Sequence, residues 1–179
     1  VRRLAYSATL PVHAKKDSTG ICFIGERPFR EFLARYLPKE PGDMCTPEGR
    51  VVGRHEGLMF YTIGQRQGLK IGGAGLPWFV AGKNRASNVL TVVQGHDHPS
   101  LFSTYLRATQ LSWINEPPRL GGTYQAKTRY AQGDAECTLV KINESQMELE
   151  FRQAQWALTP GQSVVLYTGQ ECLGGGIIE

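Results

Sequence analysis

The stretch Gly121-Gly122-Thr123-Tyr124-Gln125-Ala126-Lys127-Thr128-Arg129-Tyr130-Ala131-Gln132-Gly133-Asp134-Ala135-Glu136-Cys137-Thr138-Leu139-Val140-Lys141-Ile142 holds two short β-rich runs, residues 123–130 and 135–142, behind a glycine pair that signals a turn. Working outward, residues 105–112, 147–152 and 163–168 read the same way, and Thr159-Pro160-Gly161 is a further turn. Short strands at regular spacing with no helix between them predict a small antiparallel barrel or sandwich. Upstream, the polar, proline-bearing His96-Asp97-His98-Pro99-Ser100 marks a domain boundary.

Before that boundary the pattern is mixed. Phe29, Phe32, Leu33, Tyr36 and Leu37 recur at helical spacing. A helix is expected from about Arg27, with Pro28 in its first turn and Pro38 as its stop. It is the one clear helix in a chain that otherwise reads as mainly β. Pro47-Glu48-Gly49-Arg50 should join two short strands, the second at residues 51–54. Residues 58–63 form a strand candidate. Residues 78–81 and 89–93 flank the turn-rich Lys83-Asn84-Arg85-Ala86-Ser87-Asn88 and predict a hairpin.

Of the 179 residues, 41% are hydrophobic and 20% charged, which excludes wholesale disorder. No apolar run approaches the roughly 20 residues that cross a bilayer, so no membrane partner is expected. No secretory leader is legible behind Val1-Arg2-Arg3. The chain does not open on methionine and is expected to begin inside a longer protein. Charge is uneven: residues 1–103 carry 14 Lys/Arg against 8 Asp/Glu, and residues 104–179 carry 6 against 8, within a net charge of +4. A basic first half suits an anionic partner, nucleic acid being the commonest. A solvated basic surface is the plainer alternative.

Cys22, Cys45, Cys137 and Cys172 form no CxxC pair, so zinc-ribbon spacing is absent. Four cysteines are too few for a disulfide scaffold, which fits a reducing compartment. In Lys15-Lys16-Asp17-Ser18-Thr19-Gly20-Ile21-Cys22-Phe23, neighbouring cations favour the thiolate, the reactive form. A buried inert thiol is the other reading. Gly174-Gly175-Gly176 lacks the following helix that a phosphate-cradling loop requires, and reads as a turn or bulge beside a final strand. Lys127-Thr128-Arg129-Tyr130 sets two cations beside an aromatic, a combination that meets phosphates and stacks on bases. His96-Asp97-His98 has ligand residue types, but adjacent residues rarely converge on one metal ion, so a hydrogen-bonded loop is expected and no metal.

These motifs carry a resemblance. Asp17-Ser18-Thr19-Gly20-Ile21-Cys22-Phe23-Ile24-Gly25-Glu26-Arg27 and Phe29-Arg30-Glu31-Phe32-Leu33 closely resemble the signature of the tRNA-specific 2-thiouridylases. Gly57-Leu58-Met59, Thr62-Ile63-Gly64-Gln65-Arg66, Gly68-Leu69, Pro77-Trp78, Lys127-Thr128-Arg129-Tyr130, Thr159-Pro160-Gly161-Gln162 and Leu173-Gly174-Gly175-Gly176-Ile177-Ile178 follow in the family's order. The resemblance runs the length of the chain and matches the C-terminal half of the family. A shorter loop at residues 73–77 is the one departure. The family's N-terminal domain, with its SGGxDS-type ATP loop and a second catalytic cysteine, has no counterpart here.

By resemblance, residues 1–26 are the tail of that domain with the cysteine loop and residues 27–103 a central β-rich adaptor. Residues 104–179 are an antiparallel β-barrel similar to the second domain of translation elongation factors. The resemblance implies a bacterial, cytoplasmic enzyme, a tRNA-uridine 2-sulfurtransferase. ATP with magnesium would adenylate the C2 oxygen of the wobble uridine, and a persulfide on Cys22 would supply sulfur, released by the second cysteine through attack or disulfide formation with Cys22. It further implies tRNA contacts at Arg129, Tyr130 and Gln162, and a sulfur-relay or cysteine desulfurase protein as donor. ATP and magnesium would bind the parent enzyme and not this part of it, which alone should thiolate nothing. Cys45, Cys137 and Cys172 are read as structural. Two alternatives remain beside this reading: a stand-alone RNA-binding module with an inert Cys22, and a rhodanese-like sulfur carrier with no RNA role.

Overall fold

The computed structural model describes residues 2–15, 36, 39–129 and 132–179. The predicted helix at residues 27–37 lies, Tyr36 apart, outside the described residues. The chain divides into two units, residues 1–38 and 39–179. In the first, α1 (Arg2–Ser7) is a short helix that the sequence reading did not anticipate. It buries none of its residues. Ser7 Oγ donates back to the Arg3 carbonyl at 3.0 Å, and the Tyr6 and His13 rings meet edge to face.

The second unit is mainly β. Its first layer is a four-stranded sheet ordered β2-β1-β4-β3, from β1 (Gly42–Cys45), β2 (Val51–His55), β3 (Trp78–Asn84) and β4 (Val89–Gln94). The β1–β2 and β3–β4 pairs are antiparallel, and β1 runs parallel to β4 with Met44 opposite Leu90. Met44, Val80, Leu90 and Val92 are fully buried. His55 closes one end of this sheet: Gly57 N–H donates to its Nδ1 at 3.1 Å, so Nε2 carries the proton that meets the Asn88 carbonyl at 3.1 Å.

Residues 58–63 correct the sequence reading. They do not form a strand; Leu58–Phe60 is a 3-10 turn. Gly57, at φ +146, admits the bend. Phe60 and Tyr61 are then buried one after the other, which the alternating faces of a half-buried strand do not permit.

Six strands close the barrel in the order β10-β5-β8-β7-β6-β9. They are β5 (Phe102–Trp113), β6 (Thr123–Lys127), β7 (Ala135–Ile142), β8 (Gln146–Trp156), β9 (Ser163–Thr168) and β10 (Glu171–Ile178), and every pairing is antiparallel. Period-two burial fills the interior with Leu106 and Ala108, Cys137 and Leu139, Met147 and Leu149, Val164 and Leu166. Each large apolar side chain buried in this way contributes about 1.5–3 kcal/mol. Residues 128–129 have left the predicted strand, because β6 ends at Lys127.

Gly174-Gly175-Gly176 lies within β10, not beside it, and register shifts mark irregularities between Cys172 and Gly174 against β9 and between Gly175 and Ile177 against β5. A Cβ at Gly175 would collide with the Val164 carbonyl. The glycines therefore let β10 press against its neighbours and close the barrel. No phosphate cradle is formed there.

Candidate nucleic-acid interface

The sheet and the barrel meet along a seam built on Trp156, at the end of β8. Its indole stacks on the His96 imidazole, with centroids 4.6 Å apart and planes 12° from parallel. The indole Nε1–H donates to the His96 carbonyl at 3.1 Å. Phe79 packs edge-on against both rings. The following residue, Ala157, has φ +50, a region that residues with a Cβ seldom occupy. Its N–H donates to the Leu101 carbonyl at 2.6 Å.

Arg129 enters the seam from the barrel side. Its Nη2 lies 2.8 Å from the Ala157 carbonyl, 3.0 Å from Thr159 Oγ1 and 3.2 Å from the Ile63 carbonyl, which belongs to the sheet layer. The guanidinium carbon is 5.2 Å from the centroid of the Trp156 ring, within cation–π range. Among the described residues, Nη1 and Nε form no hydrogen bond.

Gln162 is exposed, in the turn that begins at Thr159. Its N–H donates to the Thr159 carbonyl at 3.2 Å, and its own carbonyl accepts from Ile178 N–H at 2.8 Å. The Thr159 turn thus brings Arg129 and Gln162 to one edge of the barrel, although 33 residues separate them in sequence. Tyr130 and Cys22 lie outside the described residues.

The rest of the basic tetrapeptide is engaged locally. Lys127 pairs with Asp134 at 3.4 Å, and the buried Thr128 bonds Gln132 at 3.1 Å. His96 and Asp97 meet at 3.1 Å, and His98 accepts from Ser100 N–H at 3.2 Å. That is the hydrogen-bonded loop expected of this stretch. Among the described residues no group of three or more His, Cys, Asp or Glu could hold a metal ion. Beside the seam a cleft of about 450 Å³ is lined by Arg66, Leu76, Phe79, His96 and His98, among others.

Three cysteines are described, all free thiols. Cys137 is buried in the barrel core, and burial, then the Glu136 carboxylate, push its thiol up to about 11. It is protonated at neutral pH and a poor nucleophile. Cys45 and Cys172 are half-buried.

Trp156 and its partner His96 were not legible as a pair. A tryptophan at a strand end has no distinguishing local pattern. The one sequence signal near the seam is Gly64, where a side chain would meet Trp156 Cη2 at 2.7 Å and Ala157 Cβ at 2.8 Å.

Two family models match this chain: a tRNA methyl transferase PRC-barrel domain over residues 30–94 and an aminomethyltransferase beta-barrel domain over residues 103–178. The chain is 61% identical over 183 residues to the tRNA-specific 2-thiouridylase MnmA of Chromobacterium violaceum, covering 100% of this chain and 48% of the relative. It is 62% identical to that of Thiobacillus denitrificans, covering 99% of this chain and 51% of the relative. It is 61% identical to that of Neisseria meningitidis serogroup C, covering 100% of this chain and 49% of the relative. The chain spans about half the length of the curated relatives it matches. With its sheet and closed barrel matched in sequence from end to end, it belongs to the tRNA-specific 2-thiouridylase family and corresponds to the C-terminal part of that family's chains.

Proposed function

We propose that this chain serves a tRNA-uridine 2-sulfurtransferase by supplying its sulfur-bearing cysteine and part of its grip on tRNA. The observation that carries this reading is about 60% identity, over the whole chain, to relatives named as tRNA-specific 2-thiouridylases. The anionic partner is further supported by the sheet layer, where Lys39, Arg50, Arg66, Lys83 and Arg85 form no ion pair among the described residues. Phosphate contacts from such cations position RNA without reading its sequence. Gln162, which stands with Arg129 at the barrel edge, adds a contact there, and Tyr130, outside the described residues, is proposed as another.

In this reading Cys22 carries a persulfide. Its terminal sulfur attacks C2 of the wobble uridine as the activated oxygen leaves. A second cysteine thiolate of the parent then attacks Cys22 Sγ, closing a disulfide and leaving sulfur on C2, and a thiol reductant reopens the pair. ATP with magnesium supplies the activation of that oxygen. The glycine run of this chain is a strand interior, and both groups are assigned in this reading to the remainder of the parent. The sulfur itself would come from a relay or cysteine desulfurase protein. The thiol of Cys137, buried and pushed up to about 11, is unsuited to carry the persulfide.

The test mixes this chain with tRNA, ATP, magnesium, a thiol reductant and a cysteine desulfurase with cysteine, which delivers sulfur at the persulfide level, and measures 2-thiouridine by mass spectrometry. No product is expected from the chain alone. Product should appear when the N-terminal half of a relative is added, and vanish with Cys22→Ser. Undiminished product from Cys22→Ser would overturn the assignment of the persulfide.

A further inference from the structure

The geometry points to Arg129 as a positioning residue that locks the loop at residues 62–68 to the turn at residues 159–162, so that Arg66 and Gln162 face RNA in one fixed frame. This inference rests on the RNA-binding reading above. A phosphate-binding arginine ordinarily offers its fork to solvent. Here Nη2 is aimed inward at three protein acceptors, two on the barrel and one on the sheet layer.

Both structures that Arg129 joins are held by hydrogen bonds of their own. In the loop, Gly64 N–H donates to the Val80 carbonyl at 2.8 Å, and Val80 N–H returns a bond to the Gln65 carbonyl at 3.0 Å. The Gln65 side chain closes the same loop through Thr62 N–H and the Gln67 carbonyl. In the turn, Gly161 N–H bonds the Ile178 carbonyl at 2.8 Å. Thr159 Oγ1 donates to the Ala157 carbonyl at 2.9 Å while accepting from Arg129. The Ala157 carbonyl thus receives two donors at a residue held at positive φ. Gly64 has no room for a side chain against Trp156. Lysine in place of Arg129 would keep the charge, but its side chain is one bond shorter than the reach to Nη2 and lacks the planar guanidinium that lies over Trp156.

The experiment uses the full-length protein carrying 5-fluorotryptophan. It compares Arg129→Lys, Arg129→Ala, Gly64→Ala and the Arg129→Lys/Gly64→Ala double variant for tRNA affinity across a salt series. We expect about tenfold weaker tRNA binding from Arg129→Lys and a similar loss from Gly64→Ala, which removes no charge. The double variant should lose little more than either single, as coupled sites do. The salt slope should stay at its wild-type value in the variants that keep the charge, whereas a lost phosphate contact lowers it by about 0.7–0.9. Without RNA, the fluorine resonance of Trp156 should shift in all variants. Wild-type affinity in Arg129→Lys and Gly64→Ala, with loss only in Arg129→Ala and a slope lower by one contact, would make Arg129 a plain phosphate contact and overturn the inference. An unmoved Trp156 resonance would do the same. Wild-type protein that bound no tRNA would sink the RNA-binding reading, and the inference with it.

Discussion

The barrel and the sheet layer treat their charges in opposite ways. On the barrel, Arg107 and Lys141 both pair with Glu148, at 3.2 and 3.3 Å; Arg152 pairs with Glu136 and Lys127 with Asp134. Arg129 is turned onto the seam. On the sheet layer, Arg54 and Lys70 are the lysines and arginines that meet acids among the described residues, at 3.7 and 3.8 Å and largely exposed, geometry that contributes little. At the β3–β4 hairpin, burial, then the Arg85 guanidinium, push the Lys83 ammonium below its usual value. Two like charges stand together there with Leu58, Met59 and the single acid Glu40 in a cleft of about 290 Å³. Among the described residues, Arg107, Lys127, Lys141 and Arg152 of the barrel meet carboxylates, whereas most lysines and arginines of the sheet layer do not. In the proposed RNA-binding reading, the local excess of positive charge matters more than the net charge of either region.

The largest expected effect breaks the barrel and spares the sheet. Gly175→Ala drives a methyl group into the Val164 carbonyl and should destabilise the barrel by about 3 kcal/mol or more. Urea unfolding followed by tryptophan fluorescence should then show a separate, earlier barrel transition; an unchanged midpoint would mean that β10 can shift to accommodate the methyl group.

A smaller effect sharpens the charge contrast. Lys83→Ala/Arg85→Ala should weaken tRNA binding about tenfold at moderate salt and lower the salt slope by about 1.4–1.8, the share of two contacts. Lys141→Ala on the barrel should leave the slope unchanged. Equal slopes for both variants would erase the distinction drawn between the two regions.

The smallest effect is in pH. The Tyr105 hydroxyl, then Lys141, hold the Glu148 carboxyl below the usual carboxylate range. A carboxylate with a depressed folded-state pKa stabilises above its unfolded value and loses that contribution as pH falls through the folded one. Barrel stability should therefore decline from about pH 5 downward, and Glu148→Gln should flatten that decline while the sheet's own pH response stays as it was. An identical pH profile in the variant would remove Glu148 from the account.

Local signals made much of this architecture readable. The strands at residues 135–142 and 163–168 match β7 and β9 residue for residue. The hairpin around residues 83–88 and the turn at residues 47–50 also stand where glycine, proline and asparagine placed them. Residues 58–63 misled because a run rich in apolar residues suits a strand and a buried 3-10 turn alike. What separated the two was His55 capturing the Gly57 N–H, a contact that depends on a side chain fixed by the sheet. Arg129 and Gln162 were named through the family resemblance, and the fold brings them to one barrel edge, while Trp156 and His96 were not singled out as the seam beside them.

Residue order by itself determined which segments alternate, where the chain turns, and that the cations concentrate before residue 104, since these are properties of neighbours along the chain. Only the tertiary structure decided that Arg129 Nη2 bonds Ile63, 66 residues away, that Glu148 gathers two cations, and that three glycines lie inside a strand. Each of these depends on which backbone and side-chain atoms are brought within about 3 Å when the barrel closes, and no pattern of neighbours in the sequence encodes that distance.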